Sequence, residues 1–192
     1  TTVVSGAPEA VDALVSACAA DNVFARAVQV SVASHSPQVD GLLAPLRAAL
    51  DSLRPQPPAV PFWSTVDGGP RDAALDADYW CANLREVVAF APTIGALLSR
   101  GPAIFVEISP HPVLQTALEQ CCETSEGSEA VVVAACQRGR GQASTLEALA
   151  RLWVAGASPR WSTILGRAPA RALLPPTPFD RTRHWIEARA RG

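Results

Sequence analysis

The hydrophobic and polar positions along the chain predict an alternation of helices and strands. Residues 2–5 form a short β-prone run, and residues 23–33 alternate apolar and polar side chains as a strand does. Between them, apolar residues recur every three or four positions behind Pro8, which is typical of a helix. We therefore expect a strand–helix–strand unit at the N-terminus.

The same two spacings predict further elements downstream. Ser36 and Pro37 suit the N-cap and first position of a second helix, with a kink or restart at Pro45, which cannot donate a backbone hydrogen bond. The remaining expected elements are a strand at 60–66, a helix capped by Asp76 or Asp78, a helix at 93–100, a strand at 103–108, a helix ending near 122, a strand at 131–135 and a helix at 144–154. The pattern indicates the α/β fold class.

The amino-acid composition changes at residue 158, after which prolines and arginines are frequent and aromatic residues are isolated. A proline-rich stretch does not form regular elements, so it is either a disordered linker or an extended strap laid on another surface. Trp161, Phe179 and Trp185 are costly to leave in water, which favours the strap.

Composition excludes several classes of protein. With 48% hydrophobic and 18% charged residues the chain is too apolar to be disordered. Its longest uncharged apolar run, residues 131–136, is far shorter than the roughly 20 residues of a membrane span, so we expect no membrane association. A net charge of -2 argues against a nucleic-acid surface. The five cysteines lack C-x-x-C spacing, so we expect reduced thiols in the cytoplasm.

Few residues are candidates for catalysis. No G-x-S-x-G elbow or glycine-rich phosphate loop occurs, and the three histidines lack metal-ligand spacing, so neither a self-contained serine hydrolase nor a metal site is expected. His35 lies between an expected strand end and a helix N-terminus, where the helix dipole favours the neutral imidazole that a general base needs. The alternative is a half-exposed loop histidine that only caps or packs.

Several separate motifs make the chain resemble one enzyme family. They are residues 28–40 (V-Q-V-S-V-A-S-H-S-P-Q-V-D), 61–66 (P-F-W-S-T-V), 78–80 (D-Y-W), 83–85 (N-L-R), 105–114 (F-V-E-I-S-P-H-P-V-L) and 174–181 (L-P-P-T-P-F-D-R), followed by Trp185. In this order they resemble the acyltransferase domain of modular type I polyketide synthases, and the resemblance covers essentially the whole chain.

The resemblance implies the C-terminal part of an α/β-hydrolase-like acyltransferase with part of a ferredoxin-like small subdomain. Residues 1–33 would belong to the small subdomain, 34–157 to the large α/β subdomain, and 158–192 to the strap, a Pro/Arg-rich linker that follows such domains. The family's nucleophilic serine would lie upstream, outside this chain.

The resemblance also implies roles for individual residues. His35 corresponds to the general base of the family, and the backbone carbonyl at Asn83 to the group that orients its ring. Val32, Ala33 and Ser34 precede the base and correspond to positions that shape the pocket for the acyl group. Family members that are similar to malonyl-specific domains carry a bulky Phe at the position of Ser34. The small Ser34 therefore favours methylmalonyl over malonyl, although Val32 stands where methylmalonyl enzymes usually carry Tyr.

A bacterial, cytoplasmic multifunctional enzyme of polyketide biosynthesis is thus expected. Its acyl group would come from acyl-CoA and pass to the phosphopantetheine thiol of an acyl carrier protein, with no cofactor bound by this chain. The other expected partners are the serine-bearing part of the acyltransferase and a neighbouring ketosynthase domain, reached through the strap. One alternative is a non-catalytic docking or linker module of a multidomain synthase. Another, a free-standing fatty-acid malonyltransferase, is weakened by the strap, which such an enzyme does not need.

Overall fold

A computed structural model describes residues 2–28, 30, 32–125, 129–166, 175–182 and 184–185. The chain divides into two units, Thr1–Ala157 and Ser158–Gly192, at the residue where the composition changes. In the second unit the structure describes one short helix, Trp161–Leu165, and extended or irregular chain at 175–182. Residues 167–174, 183 and 186–192 of the expected strap, and residues 29 and 31 of the expected second strand, lie outside the described residues.

The first unit is a mixed α/β structure. Its helices are α1 Pro8–Ala20, α2 Asp40–Leu50, α3 Ala77–Arg85, α4 Phe90–Leu98, α5 Gln115–Thr124 and α6 Gly141–Val154, with a 3-10 turn at Pro37–Val39. Its strands are β1 Trp63–Ser64, β2 Gly69–Pro70, β3 Ala103–Glu107 and β4 Ala130–Ala134.

Among the described residues, the N-terminal strands expected from the sequence are not observed. Helix α1 is present, but the described residues of 2–5 and 23–33 are not assigned to any strand and pair with none. Val28 and Val30 are 68% and 71% exposed, and α1 has no buried residue. A strand needs a neighbour to complete its hydrogen-bonded ladder, and alternation of side chains alone cannot supply one. The predicted strand–helix–strand unit is therefore wrong for this structure.

The other elements follow the sequence more closely. β3 and β4 are parallel, from Ala103 opposite Ala130 to Glu107 opposite Ala134. Helices α4 and α5 cover this pair, and their packing forms a core cluster of Ile94, Leu98, Leu118 and Val132. The structure confirms the predicted helices that correspond to α4, α5 and α6. It also confirms the strands predicted at 103–108 and 131–135, which are β3 and β4. All bounds agree to within about three residues.

The strand expected at 60–66 is reduced to β1, two residues paired antiparallel with β2. The cause is the Ser64 side chain, whose hydroxyl accepts a hydrogen bond from the Val66 N–H at 3.0 Å and turns the chain. Gly68, with φ 72°, donates to the Ser64 carbonyl at 2.9 Å and completes the turn. Ser64 is fully buried, within 3.2 Å of the Tyr79 hydroxyl, so this turn is anchored on α3.

Helices α2 and α3 pack antiparallel and position the candidate site. The Cys81 thiol donates to the Leu43 carbonyl at 3.5 Å near the middle of the pair. Of the two predicted caps, Asp76 is the one used, since its carboxylate accepts from the Tyr79 N–H at 2.9 Å. Helix α2 continues through Pro45, so the predicted restart does not occur; the proline removes only one hydrogen bond of the helix.

Across the described ranges no single helix is long and apolar enough to cross a membrane, and α3 and α4, which reach that length only together, are bent by 109°. All five cysteines lie in the described ranges, and none of them forms a disulfide. In the same part of the chain, no group of three or more His, Cys, Asp or Glu side chains could hold a metal ion.

Glu107, at the end of β3, is a buried carboxylate that the sequence analysis did not single out. One oxygen accepts from the Val113 N–H at 2.8 Å, the Leu114 N–H at 3.1 Å and the Ser109 hydroxyl at 2.9 Å. Burial alone raises the pKa of this carboxyl, but the backbone N–H groups of Val113, Leu114 and Gln115 and the Ser109 hydroxyl outweigh it and hold the pKa below its ordinary value. Glu107 thus fixes the loop at 109–114 that leads into α5.

We predict that Glu107→Gln lowers the free energy of unfolding by about 1–3 kcal/mol, because a neutral amide accepts these bonds less strongly. Since the carboxyl pKa is lower in the folded than in the unfolded protein, its stabilisation is complete above the ordinary pKa of 4.5 and is lost as the pH falls through the lower folded pKa. The difference between wild type and variant should therefore be constant near pH 7 and shrink below pH 4. Urea unfolding at several pH values measures it.

Glu119→Gln is the matched control, because this glutamate on α5 is exposed and, among the described residues, its side chain accepts only from Gln115 in the same helix. The control should change the unfolding free energy by less than about 0.5 kcal/mol. Equal effects of the two substitutions, or a Glu107→Gln effect that does not vary with pH, would contradict this role of Glu107.

Candidate functional site

His35 occupies an unusual backbone conformation. Its φ of 63° is in the left-handed region, which residues other than glycine seldom adopt. The His35 N–H donates to the Leu84 carbonyl at the C-terminal end of α3, at 2.9 Å. The turn before α2 is therefore attached to α3 at the histidine itself.

The ring of His35 is held by a second carbonyl of the same helix end. Nδ1 lies 2.8 Å from the carbonyl oxygen of Glu86. A carbonyl oxygen can only accept, so Nδ1 carries the proton in this bond. In the neutral ring Nε2 then has a free lone pair, which is the tautomer that a general base requires. The described residues place no hydroxyl or thiol within hydrogen-bonding distance of Nε2.

The carbonyl that contacts the ring is not the expected one. The resemblance implied the backbone carbonyl at Asn83, whereas the structure places the carbonyl of Glu86 at Nδ1. Asn83 lies in the last turn of α3, half-buried, where its carbonyl points along the helix. Glu86 is the C-cap, and its ψ of 161° takes the chain out of the helix and turns its carbonyl toward the histidine. The orienting partner is corrected accordingly.

Ser36 stabilises the turn on the other side of the histidine. Its side chain is buried, donates to the Ala33 carbonyl at 2.7 Å and accepts from the Gln38 N–H at 3.3 Å. It is thus the N-cap of the 3-10 turn, as the sequence predicts, a contact that contributes about 1 kcal/mol in comparable helices. The hydroxyl bridges residues 33 and 38 and so holds both flanks of His35.

The three expected specificity residues lie in the same turn. Val32 is 46% exposed, and Ala33 and Ser34 are half-buried. Two clefts of the described chain lie elsewhere: one of about 170 Å³ between Pro112 and Arg151, and one of about 430 Å³ between Pro55 and Leu75. Neither is lined by His35. Residues 32–35 of the turn are therefore exposed or half-buried in this chain, whereas Ser36 is buried.

Two charged residues near His35 belong to the motifs, but the sequence did not predict any contact between them. Asp40 in the first turn of α2 and Arg85 in the last turn of α3 form an ion pair. Asp40 lies five residues after His35, and Arg85 lies between Leu84 and Glu86. Only the packing of α2 on α3 brings these two residues together.

The chain has sequence relatives of known family. Residues 1–159 match the acyl transferase domain family. The chain is 41% identical over 189 residues to the spectinabilin polyketide synthase system protein NorA' of Streptomyces orinoci, and 41% identical over 192 residues to the erythronolide synthase EryA2 of Saccharopolyspora erythraea. These alignments cover 97% and 98% of this chain but only 5% of each relative.

Solved structures give the same result. The acyltransferase domain from module 8 of the salinomycin polyketide synthase has a TM-score of 0.77 and 40% identity, over 82% of this chain and 38% of that domain. A loading acyltransferase from the avermectin modular polyketide synthase has a TM-score of 0.72 and 37% identity, over 77% and 46%. With the mixed α/β architecture and the family match, these likenesses show that the chain belongs to the acyltransferase domains of modular type I polyketide synthases, of which it spans a part.

Proposed function

We propose that this chain is the C-terminal part of an acyltransferase that moves an extender unit from CoA to an acyl carrier protein, with His35 as its general base. The observation that carries the proposal is the hydrogen bond from Nδ1 of His35 to the Glu86 carbonyl, because it leaves Nε2 free to accept a proton. The nucleophilic serine belongs to a segment outside this chain. That assignment rests on the family resemblance and on the absence of a nucleophile elbow from the sequence.

The proposed reaction has two half-reactions, and His35 acts in both. In the first, Nε2 takes the serine proton as the serine oxygen attacks the thioester carbonyl of acyl-CoA, and the imidazolium returns that proton to the leaving CoA thiolate. In the second, Nε2 takes the proton of the phosphopantetheine thiol, whose sulfur attacks the acyl-serine ester. The imidazolium then protonates the departing serine oxygen, which restores the starting state.

The Glu86 carbonyl has a defined part in these steps. It holds the ring in the productive tautomer and, as the negative end of a dipole, stabilises the positive charge that the ring carries between proton transfers. A carbonyl does this less strongly than the carboxylate of a Ser-His-Asp triad. Positioning of the ring is therefore its main contribution.

The turn at 32–34 supports a proposal on substrate choice. The small side chain of Ser34 directly precedes the base and leaves room for an α-methyl branch, so we favour methylmalonyl over malonyl. A pocket that distinguishes one methyl group supplies about 1–3 kcal/mol, or 10–200-fold.

The partners follow from the same proposal. They are the serine-bearing part of the acyltransferase, an acyl carrier protein, and a neighbouring ketosynthase domain contacted by residues 158–192 acting as a strap. The bacterial multidomain relatives support this arrangement. A cytoplasmic location is part of the proposal.

We predict that His35→Ala lowers turnover about 10²–10⁴-fold in the complete acyltransferase domain that contains this chain, because the serine then lacks its base. The assay follows transfer of radiolabelled acyl groups from CoA to carrier protein. His111→Ala is the matched control, since His111 is exposed and its one hydrogen bond within the described ranges is made by the backbone carbonyl, which accepts from the Ser109 hydroxyl. Normal turnover of the His35 variant would overturn the proposed function.

We predict that Ser34→Phe shifts the ratio of kcat/KM for methylmalonyl-CoA over malonyl-CoA toward malonyl by about 10–200-fold, because the ring fills the space of the α-methyl group. Competition between the two thioesters, with the acylated carrier proteins separated by mass, measures the ratio. Ser52→Phe, in the exposed turn after α2, should leave it unchanged. A wild-type enzyme that prefers malonyl would contradict the preference without affecting the role of His35.

A further inference from the structure

Two ion pairs join α2 to α3, one at each end of the antiparallel pair. Asp40 at the start of α2 pairs with Arg85 at the end of α3. Arg47 near the end of α2 pairs with Asp78 near the start of α3. Both pairs use the same two residue types and the same two helices, so they differ mainly in which end of the helix pair they join.

Only the Asp40–Arg85 pair adjoins His35. Arg85 lies between Leu84, whose carbonyl accepts from the His35 N–H at 2.9 Å, and Glu86, whose carbonyl accepts from Nδ1 at 2.8 Å. Asp40 begins the helix that follows the histidine turn. Leu84 and Arg85 at the end of α3, and the C-cap residue Glu86, thus contact the segment 35–40. Leu84 and Glu86 do so through carbonyl oxygens and Arg85 through its guanidinium.

We infer that the Asp40–Arg85 ion pair is a positioning element for His35. It holds the last turn of α3 against the first turn of α2, and so keeps the carbonyls of residues 84 and 86 at hydrogen-bonding distance from the histidine. The inference rests on the proposed role of His35 as general base. Neither Asp40 nor Arg85 contacts the reacting atoms in this account.

Because the Asp40–Arg85 pair is partly exposed, its loss should affect activity more than folding stability. The side chains of Arg85 and Asp40 are 31% and 57% exposed, and ion pairs at this degree of exposure contribute little to folding stability. Displacement of a catalytic group by about 1 Å, in contrast, can reduce a rate about 100-fold. Loss of the pair should therefore slow catalysis in a protein that remains folded.

The test uses Asp40→Asn and Arg85→Gln in the complete acyltransferase domain, together with the double variant and the exchange Asp40→Arg/Arg85→Asp. Each single variant should lower kcat about 10–100-fold, with KM for acyl-CoA changed less than about threefold. The double neutral variant should be no slower than the singles, because they remove the same interaction. The exchanged pair should recover at least part of the loss; recovery is incomplete because its charges oppose both helix dipoles.

The matched controls are Arg47→Gln and Asp78→Asn, which break the ion pair at the other end of the same helices. They should change kcat less than about twofold, and all four single variants should keep the melting temperature within about 4 °C of wild type. As a second readout, the ¹⁵N NMR signals of the His35 ring should lose the Nδ1–H tautomer signature in Asp40→Asn and Arg85→Gln but not in the controls.

The outcomes separate this inference from the proposed function. Wild-type kcat in Asp40→Asn and Arg85→Gln, with His35→Ala inactive, would overturn the inference and leave the function intact. An equal fall in Arg47→Gln would also overturn it, since helix packing in general would then be the cause. Normal turnover of His35→Ala would overturn the proposed function itself.

Discussion

The arrangement of the site depends on one contact, the end of α3 against the turn that carries His35. A left-handed backbone costs a residue other than glycine roughly 1–3 kcal/mol. Two hydrogen bonds to the carbonyls of residues 84 and 86, each contributing about 0.5–1.5 kcal/mol, offset that cost. The histidine conformation is therefore stable only while α3 is in place, and the geometry of the imidazole follows from the packing of a helix.

The same contact also satisfies the helix. The last carbonyls of an α-helix have no partner within it and need an outside donor. In α3 the carbonyl of Leu84 finds one in the backbone of His35, and the carbonyl of Glu86, just beyond the helix, finds one in the ring. The end of α3 thus supplies two carbonyl acceptors, and His35 supplies the two N–H donors that these carbonyls need. This explains how an orienting acceptor can be a backbone carbonyl at a position where the side chain is exposed.

Glu107, at the end of β3, likewise holds an irregular segment through hydrogen bonds. Its buried carboxylate accepts hydrogen bonds from N–H and O–H groups of a short loop that has no regular secondary structure. Because Pro110 and Pro112 lack backbone N–H groups, that loop cannot form a helix or a ladder. A buried charge is tolerated there because hydrogen bonds from several sides compensate its desolvation. Two of the motifs by which the family is recognised therefore contain irregular segments, 33–36 and 109–114, each held by a polar group.

Local patterns in the sequence determined much of this protein. The cap at Ser36, the strands 103–107 and 130–134 and the helices around them follow from residue spacing and from capping chemistry, which act over a few neighbouring residues. The same chemistry limited the cap of α3 to Asp76 or Asp78, and the structure shows Asp76. The motifs also singled out His35, before any contact was known.

Only the tertiary structure decided the rest. Residues 23–33 alternate like a strand but have no ladder partner among the described residues, and alternation carries no information about a partner. The choice of Glu86 over Asn83 depends on where α3 ends and on how its last carbonyls turn, and it moves the contact three residues along the chain, to the residue just after the 83–85 motif. The pairing of Asp40 with Arg85 joins residues 45 positions apart. Such contacts are set by the docking of one helix on another, which local spacing does not encode.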